Sequence, residues 1–353
     1  MLTATGVVMS SLGTLVASVG PAAAGALPAE LGPDLLDFPY AAESALALLF
    51  MIWQSARLLH PEKGWRSVLR QLRYAVIAWW TRPDWRVLRE EPAHTQFGQV
   101  LRARGGRMHL VAWAYLHRRW SVAQRVEVVR QHYALVERTP WLQVPLKGRH
   151  VVARLDEPCP GLSLQLDRPE WIENEGELAL SLFKGPKRLY TVALVFGACR
   201  GRPAMMIGSI QGVSWEGANA TYAELTKQLH GCRPRDLIVH ASLCIAESLG
   251  LPRAYAISDA CRHHRAARFP GGAGHAPTAD YDEVWGDRGG VRGNDGFFEL
   301  DTAFRPRDLN EVPSKKRAMY RRRYDMLGAL RADIQHLARA NRRPVDLVTE
   351  PAQ

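Results

Sequence analysis

The chain has 353 residues, of which 47% are apolar and 23% are charged, and this balance excludes an extensively disordered protein. Its formal net charge of +11 favours acidic partners such as phosphorylated cofactors, anionic lipid head groups or nucleic acid. Five cysteines, an odd number without a CxxC pair, favour neither a disulfide framework nor a zinc ribbon, so we expect a reducing compartment.

Residues 1–40 are predicted to be a loosely ordered leader. The first 29 residues carry no charged side chain, and an AAAG stretch near residue 22 is typical of a signal-peptide cleavage region. A basic segment is missing, however, and Gly and Pro interrupt the apolar part, so export is the alternative and not the first interpretation.

The most apolar stretch is ALALLFMIW at 45–53. Glu43 and Arg57 bracket 13 uncharged residues, fewer than the roughly 20 that span a bilayer. This stretch therefore predicts a buried helix or a helix at a membrane surface.

Residues 41–148 are predicted to form a helical region rich in tryptophan. Apolar residues recur at intervals of three and four through SVLRQLRYAVIAWW, MHLVAWAYLHRRW and VAQRVEVVRQHYALV. Eight of the 11 tryptophans fall in this region. At helical spacing they are typical of a core, and a pocket for an acyl chain is the alternative.

Residues 149–310 change to short strands between Gly and Pro turns. The predicted elements are ELALSLF (177–183), RLYTVALVF (188–196), MMIGSIQG (205–212), a helix from Pro234 to Gly250, and AYAIS (254–258). The sequence therefore predicts an α+β fold, with the helical N-terminal region packed on a mixed, mostly antiparallel sheet of β-β-β-α-β order.

Residues 311–353 are predicted to form a long basic helix and a tail. Between Lys315 and Arg343 ten Lys or Arg stand against two Asp. An apolar stripe at intervals of three and four anchors the helix, and its members are Tyr320, Tyr324, Leu327, Leu330, Ile334 and Leu337. The cations are thus expected to face outward or over a cleft.

The motif series closely resembles the VirK/YbjX family of Gram-negative bacteria. The matching segments, in order, are GELALSLF, RLYTVALVF, IGSIQG, TKQLHGCRPRDL, YDEVW, DGFFEL and SKKRAMYRRRYDML, within residues 60–335. The resemblance implies a protein that is either cytoplasmic or associated with the inner membrane, and that is linked to virulence, antimicrobial-peptide resistance and lipid A remodelling in the cell envelope. It supplies no catalytic residues, and the loop at 262–279 departs from the family pattern.

The core is also similar in organisation to the GNAT acyltransferases, in which a helix N-terminus cradles the coenzyme A pyrophosphate. The matching place is HGCRPRD, so the resemblance implies that Gly231, Arg233 and Arg235 bind acyl-CoA. Only one glycine stands where the GNAT loop carries two or three. A proline-initiated helix with solvated arginines is the alternative interpretation.

Two residues are candidate general bases. Glu175 and Glu177 fall on one side of the first strand, where neighbouring carboxylates can raise a pKa. The favoured interpretation of the two carboxylates is an exposed polar face, or partners for the basic C-terminal helix. If the protein catalyses acyl transfer, we predict Glu177 as the base and His230 as the second choice.

The candidate substrate-binding residues are polar or cationic. They are Gln211, Asp282, Lys315, Lys316, Arg317, Arg321, Arg322 and Arg323. An anionic small molecule or a lipid head group is the expected partner, and a solvated structural face is the alternative. Asp282 alternatively pairs with the C-terminal arginines.

Metal and nucleic-acid roles are not favoured. The nitrogen and oxygen ligands are irregularly spaced, so no metal is expected; they are His263, His264, His275, Asp280 and Asp282. Without a helix-turn-helix, RNP or zinc motif, sequence-specific binding of nucleic acid is not expected.

Two functions remain open from the sequence. The first is an acyltransferase-like protein that uses acyl-CoA on an anionic, phosphate-bearing substrate in envelope or lipid A remodelling. The alternative is a non-catalytic regulator or adaptor of envelope or virulence-factor biogenesis. Both require that the cationic groups of the segments 233–235 and 315–323 converge on one concavity that can hold a phosphate-bearing molecule.

Overall fold

The computed structural model describes residues 45–103, 105–145, 148–266 and 280–340, and within these ranges the chain forms nine α-helices and eight strands. The helices are α1 (Ala45–Leu59), α2 (Trp65–Trp80), α3 (Arg82–Arg89), α4 (Gln96–Ala103), α5 (Val122–Glu137), α6 (Ala218–Gln228), α7 (Pro234–Ser248), α8 (Tyr281–Gly286) and α9 (Ser314–Ala340). The strands are β1 (Arg149–Arg154), β2 (Leu162–Asp167), β3 (Leu178–Lys184), β4 (Lys187–Cys199), β5 (Arg202–Gly212), β6 (Arg253–Ile257), β7 (Val291–Arg292) and β8 (Phe297–Asp301). The predicted leader falls outside these ranges.

The eight strands form one mixed sheet in the order β1-β2-β3-β4-β5-β6-β8-β7. Neighbouring strands are antiparallel except β5 and β6, which are parallel and joined by α6 and α7. The predicted α+β class and the β-β-β-α-β order are confirmed, with two helices in the crossover where the sequence indicated one.

The parallel pair is short, and its strands separate at their carboxyl ends. Only residues 205–207 of β5 pair with residues 254–256 of β6. Gly208 forms a bulge, because Ala193 and Leu194 of β4 pair with Ser209 and Ile207 and leave it without a partner. A gap therefore opens beside the second half of β5.

The helical region packs on the sheet through α5. Ser121 begins this helix with a capping box, in which its side chain accepts from the amide of Gln124 and the Gln124 side chain accepts from the amide of Ser121. Further along, His132 accepts a 3.2 Å hydrogen bond from the amide of Phe196 in β4. These contacts tie the helical region to the centre of the sheet.

The polar side of β3 is buried, so its interpretation as an exposed polar face is wrong. Ile172 packs with Ala179 and Ala193 on that side. Ser181 is fully buried, lies 3.1 Å from the Thr191 hydroxyl and accepts from Arg188. The segment before β3 thus covers a hydrogen-bonded network, not a solvated surface.

The predicted stripe anchors α9 against α7. Leu327, Leu330 and Ile334 are buried. Arg331 makes two hydrogen bonds of 2.6 Å to the carboxylate of Glu247 in α7. The long helix is therefore an integral part of the fold.

Candidate functional site

The segment HGCRPRD forms a tight corner between α6 and α7. His230 and Gly231 adopt left-handed φ values of 54° and 78°. The amide of Gly231 donates to the carbonyl of Thr226 at 2.7 Å, and that of His230 to Lys227 at 3.1 Å, which is a Schellman-type helix end. Arg233 then begins α7 as an exposed N-cap whose side chain does not cap the helix.

The basic helix α9 lies directly on this corner. Arg323 donates from Nε to the carbonyl of His230 at 3.0 Å. A Cβ atom at Gly231 would lie 2.5 Å from the Arg323 guanidinium and 3.2 Å from the sulfur of Met319, so glycine permits the close approach. The corner and α9 are therefore side by side.

The corner is cationic, with a single acidic residue balancing part of the charge. Asp236 in the first turn of α7 pairs with Arg288 at 2.6 Å and lies 3.7 Å from Arg235. Arg233 and Arg323 add two further guanidinium groups. We call the group Arg233, Arg235, Arg288, Lys316 and Arg323 the cationic surface.

Helix geometry places Lys316 in this group and separates Arg321 from it. Lys316 is exposed and precedes Arg323 by seven residues, so both lie on the same face of α9. Arg321 is two residues from Arg323, which turns it by roughly 200° to the opposite face. Arg317 instead folds back on its own helix start, donating to the carbonyl of Val312 at 3.0 Å. Lys315 and Arg322 are exposed on other faces.

The thiol of Cys232 is buried within the corner. Burial raises the pKa of Cys232 to about 12, and nearby Asp236 adds to the rise. This thiol is therefore protonated at neutral pH.

The two predicted bases lie in different surroundings. Glu177 is 1% exposed and accepts a 2.6 Å hydrogen bond from the hydroxyl of Tyr133 in α5. His230 contacts Arg323 through its carbonyl at the corner. Their roles in catalysis remain predictions.

A second polar cluster surrounds Glu175. Its carboxylate accepts a 2.6 Å hydrogen bond from Gln211 and lies 3.8 Å from Arg262. Burial raises the pKa of Glu175 to about 7, against the opposing effects of Ser209, Arg262 and Gln211. Gln211, predicted to point into a site, contacts this carboxylate.

Tyr281 fills the gap between β5 and β6. Its hydroxyl accepts from the amide of Ile210 at 3.0 Å and donates to the carbonyl of the same residue at 2.9 Å. Arg262 lies over its ring at 4.0 Å from the centroid. The side chain thus satisfies the backbone groups of β5 that a longer β6 would have paired.

Asp282, which follows Tyr281 in α8, contacts two other segments of the chain. It accepts from the amide of Asp259 at 2.8 Å and pairs with Arg292 at 3.2 Å. The alternative of a pair with the C-terminal arginines is not what the structure shows, since its cationic partner lies in β7. Its role toward a substrate stays a prediction.

Sequence reasoning missed several members of these clusters. Arg262 and Arg288 became significant only through folding, because their respective partners Glu175 and Asp236 are 52 or more residues away in the chain. The period-two pattern identified Glu175 and Glu177 as a pair, but not which neighbour each would meet.

The alternative of an acyl-chain pocket among the tryptophans gains no support from the described cavity. This cavity lies beside Leu59, Tyr74 and Trp113 and has a volume of about 10 Å³. Such a space holds roughly one water molecule, which is far smaller than an acyl chain.

Among the described residues, no group of three His, Cys, Asp or Glu side chains could hold a metal ion. His275 falls outside the described ranges. His263 is buried, and burial lowers its pKa to about 3. The five cysteines are free and buried.

Comparison with known proteins gives a family. The model described as "Protein of unknown function (DUF535)" matches residues 63–336. YbjX of Escherichia coli K12 is 29% identical over 240 residues, covering 64% of this chain and 70% of that protein. A Haemophilus influenzae protein is 30% identical over 226 residues, covering 64% and 74%.

A third relative carries a descriptive name. The membrane protein LapB of Mannheimia haemolytica is 29% identical over 213 residues, covering 58% of this chain and 92% of that protein. In the described part of the present chain, no helix has the length and apolar character needed to cross a membrane. No solved structure matches the chain. Because the family match spans most of its length, this protein belongs to the DUF535 family, as the resemblance to YbjX predicted.

Proposed function

We propose that this protein binds a phosphate-bearing anion at the cationic surface, as a component of cell-envelope biogenesis. The observation that carries the proposal is the contact between Arg323 and the carbonyl of His230, which joins two basic segments 93 residues apart. Arg233 and Lys316 are exposed; Arg233 follows Gly231 by two residues, and Lys316 lies on the same face of α9 as Arg323, about two turns before it. An anion at this place would meet cations from both segments.

The start of α7 adds a second source of attraction. The helix dipole is positive at this end, although Pro234 carries no N–H and the amides of Asp236 and Leu237 already donate to the carbonyl of Arg233. Arg233 begins α7 without capping it by its side chain. Guanidinium groups beside such a helix start suit the geometry and charge of phosphate.

Binding without turnover agrees with the regulator or adaptor that the sequence left open as an alternative. Cys232 is protonated at neutral pH and the corner is closely packed around Gly231. A ligand held by cations at the surface needs no reactive group. The role in envelope biogenesis comes from the family resemblance.

Acyl transfer is the second candidate, and the separation of β5 from β6 favours it. A GNAT-like enzyme would place acyl-CoA in this gap, beside the bulge at Gly208, and would act on an anionic lipid A-type substrate. Glu175, whose pKa is raised to about 7, is suited to act as a base near neutral pH. Tyr281 would have to leave its hydrogen bonds with Ile210 to admit the cofactor.

The binding proposal is tested by calorimetric titration of the full chain with inorganic pyrophosphate. We expect Lys316→Glu and Arg233→Glu each to weaken binding by about tenfold or more, since each loses a charge-assisted contact. Arg321→Glu is the matched control, because it makes the same charge change on the opposite face of α9. Equal losses in Lys316→Glu and Arg321→Glu would show attraction by net charge alone and would contradict the proposal.

The second candidate is separated from the first by thermal unfolding with two ligands. If acyl-CoA enters the gap, it must raise the melting temperature well beyond the rise that pyrophosphate produces at the same occupancy of the cationic surface. Equal shifts would leave binding at the surface as the function and remove acyl transfer.

A further inference from the structure

Two N-terminal helices expose large apolar side chains to water. Leu46, Leu49 and Phe50 of α1 are between 42% and 77% exposed. On α2 the exposed apolar residues are Trp65, Val68, Leu72, Val76 and Trp80, and they are between 47% and 72% exposed. We call these eight residues the hairpin face.

The hairpin face is continuous along α2. Its five residues follow intervals of three, four, four and four, which keep them on one side of a helix. The opposite side buries Ser67, Tyr74 and Ala78. An apolar stripe of this length on the outer side of a helix marks a surface that meets another apolar phase.

The two helices form one layer. α1 packs on α2, and both also contact the 105–111 segment beneath them. In α1, Leu48, Ile52 and Ala56 face inward, while Leu46, Leu49 and Phe50 face outward. The outer sides of both helices therefore belong to the same surface.

The charge around the hairpin face is positive. Residues 45–80 contain five Lys or Arg and one acidic residue, Glu62. Glu62 is already paired with Arg70 at 3.1 Å. The net positive charge of residues 45–80 complements a negatively charged partner.

Tryptophans lie at both ends of α2, and one tryptophan at each end, Trp65 and the half-buried Trp79, lies beside an arginine. The Arg66 guanidinium lies 5.5 Å from the Trp65 ring, and that of Arg82 lies 5.5 Å from Trp79. Trp and Arg at the margins with aliphatic residues between them are the composition of helices that lie in the plane of a membrane interface. At 15 and 16 residues, α1 and α2 are too short to span a bilayer.

We propose that the hairpin face docks the protein on the surface of an anionic lipid bilayer. The apolar stripe would enter the boundary between head groups and acyl chains, and the flanking arginines would meet lipid phosphates. This inference does not rest on the proposed function, because it involves different residues and a different ligand.

The test is co-sedimentation of the full chain with vesicles. Vesicles of equal parts phosphatidylglycerol and phosphatidylethanolamine should bind the chain, and vesicles of phosphatidylcholine should bind it much less. The double variant Leu72→Glu and Val76→Glu should reduce the bound fraction about tenfold or more, because two charges would enter the apolar boundary. Val291→Glu is the control, since Val291 is 70% exposed on β7.

A conservative variant keeps the test independent of folding. Brominated lipids should quench the tryptophan fluorescence of the wild-type chain, and Trp65→Phe with Trp80→Phe should lose most of that quenching while still binding. Three results would overturn the proposal. The first is that the full chain does not bind to anionic vesicles. The second is that the glutamate double variant binds to them as well as the wild type does. The third is that the wild type forms a dimer, and the glutamate double variant is monomeric but still binds to vesicles.

Discussion

At Glu175 the fold removes a carboxyl group from water and gives it one amide and one guanidinium as neighbours. Gln211 donates at 2.6 Å, whereas Arg262 is 3.8 Å away. Burial is the larger effect, and it raises the pKa from 4.5 to about 7. The folded chain therefore holds the proton more tightly than the unfolded chain does.

This difference makes stability depend on pH. The contribution of protonated Glu175 is fully present below its unfolded pKa of 4.5 and is lost as the pH rises to about 7. Glu175→Gln imitates the protonated form, so the wild type should lose up to roughly 3 kcal/mol relative to this variant across that range. Urea unfolding at several pH values measures the free energy of unfolding of both proteins. If this free energy varies with pH in the same way in the wild type and in Glu175→Gln, the raised pKa of Glu175 is contradicted.

Gly231 is the residue that brings Arg323 to the corner. Gly231→Ala should lose about 1 kcal/mol from its left-handed conformation and should also displace the Arg323 guanidinium, which lies 2.5 Å from the added Cβ. Gly250→Ala is the matched control, because Gly250 has a φ of 74° and open space around it. Urea unfolding should show similar losses for both.

Only Gly231→Ala should weaken pyrophosphate binding. Identical affinity in both variants would mean that the position of Arg323 is irrelevant to the ligand. The sequence identified Gly231 as a turn residue from its place in HGCRPRD. It could not identify Arg323 as the neighbour, because nothing in the local pattern records a contact 93 residues away.

Among the elements, β5 owes its shape to Gly208. A Cβ atom there would meet the backbone carbonyl of Glu175 and the side chain of Leu116. Gly208→Ala should therefore destabilise the protein by about 3 kcal/mol or more, since backbone must move. Gly286→Ala is the control in α8, where nothing lies within 4 Å, and its effect should stay within about 0.5 kcal/mol. Comparable unfolding midpoints would contradict the close approach.

The sequence predicted elements well where the hydrophobic period was long and regular. The stripe of α9 and the apolar runs of β4 and β5 appear where expected. It did not indicate β7, which has two residues, and gave no separate signal for α6. The sequence of β3 alone could not show that its polar side is buried, because the burial depends on Ile172 and Arg188 from neighbouring segments.

At the scale of the whole molecule, two surfaces combine positive charge with different neighbours. The hairpin face combines cations with exposed tryptophan and aliphatic residues, which suits a lipid surface. The cationic surface combines cations with a helix start and a tight corner, which suits a compact phosphate. The net charge of +11 predicted acidic partners in general, and we propose a different one for each of these two surfaces.

The structure also explains why sequence alone left the function open. The two basic segments were recognisable, and their convergence was a hypothesis that needed coordinates. In the fold, Arg323 reaches the corner while Arg321 lies on the opposite face of α9. The six cations between Lys315 and Arg323 are neighbours in the sequence but do not lie on one surface. The helix period decides which face of α9 each of them occupies.

The most direct measurement is a crystal structure of the full chain with inorganic pyrophosphate. We expect an anion at the start of α7, within hydrogen-bond distance of Arg233 and of a cation of α9, either Lys316 or Arg323. Pyrophosphate bound only elsewhere, or a cationic surface that stays empty at concentrations that saturate binding in solution, would contradict it.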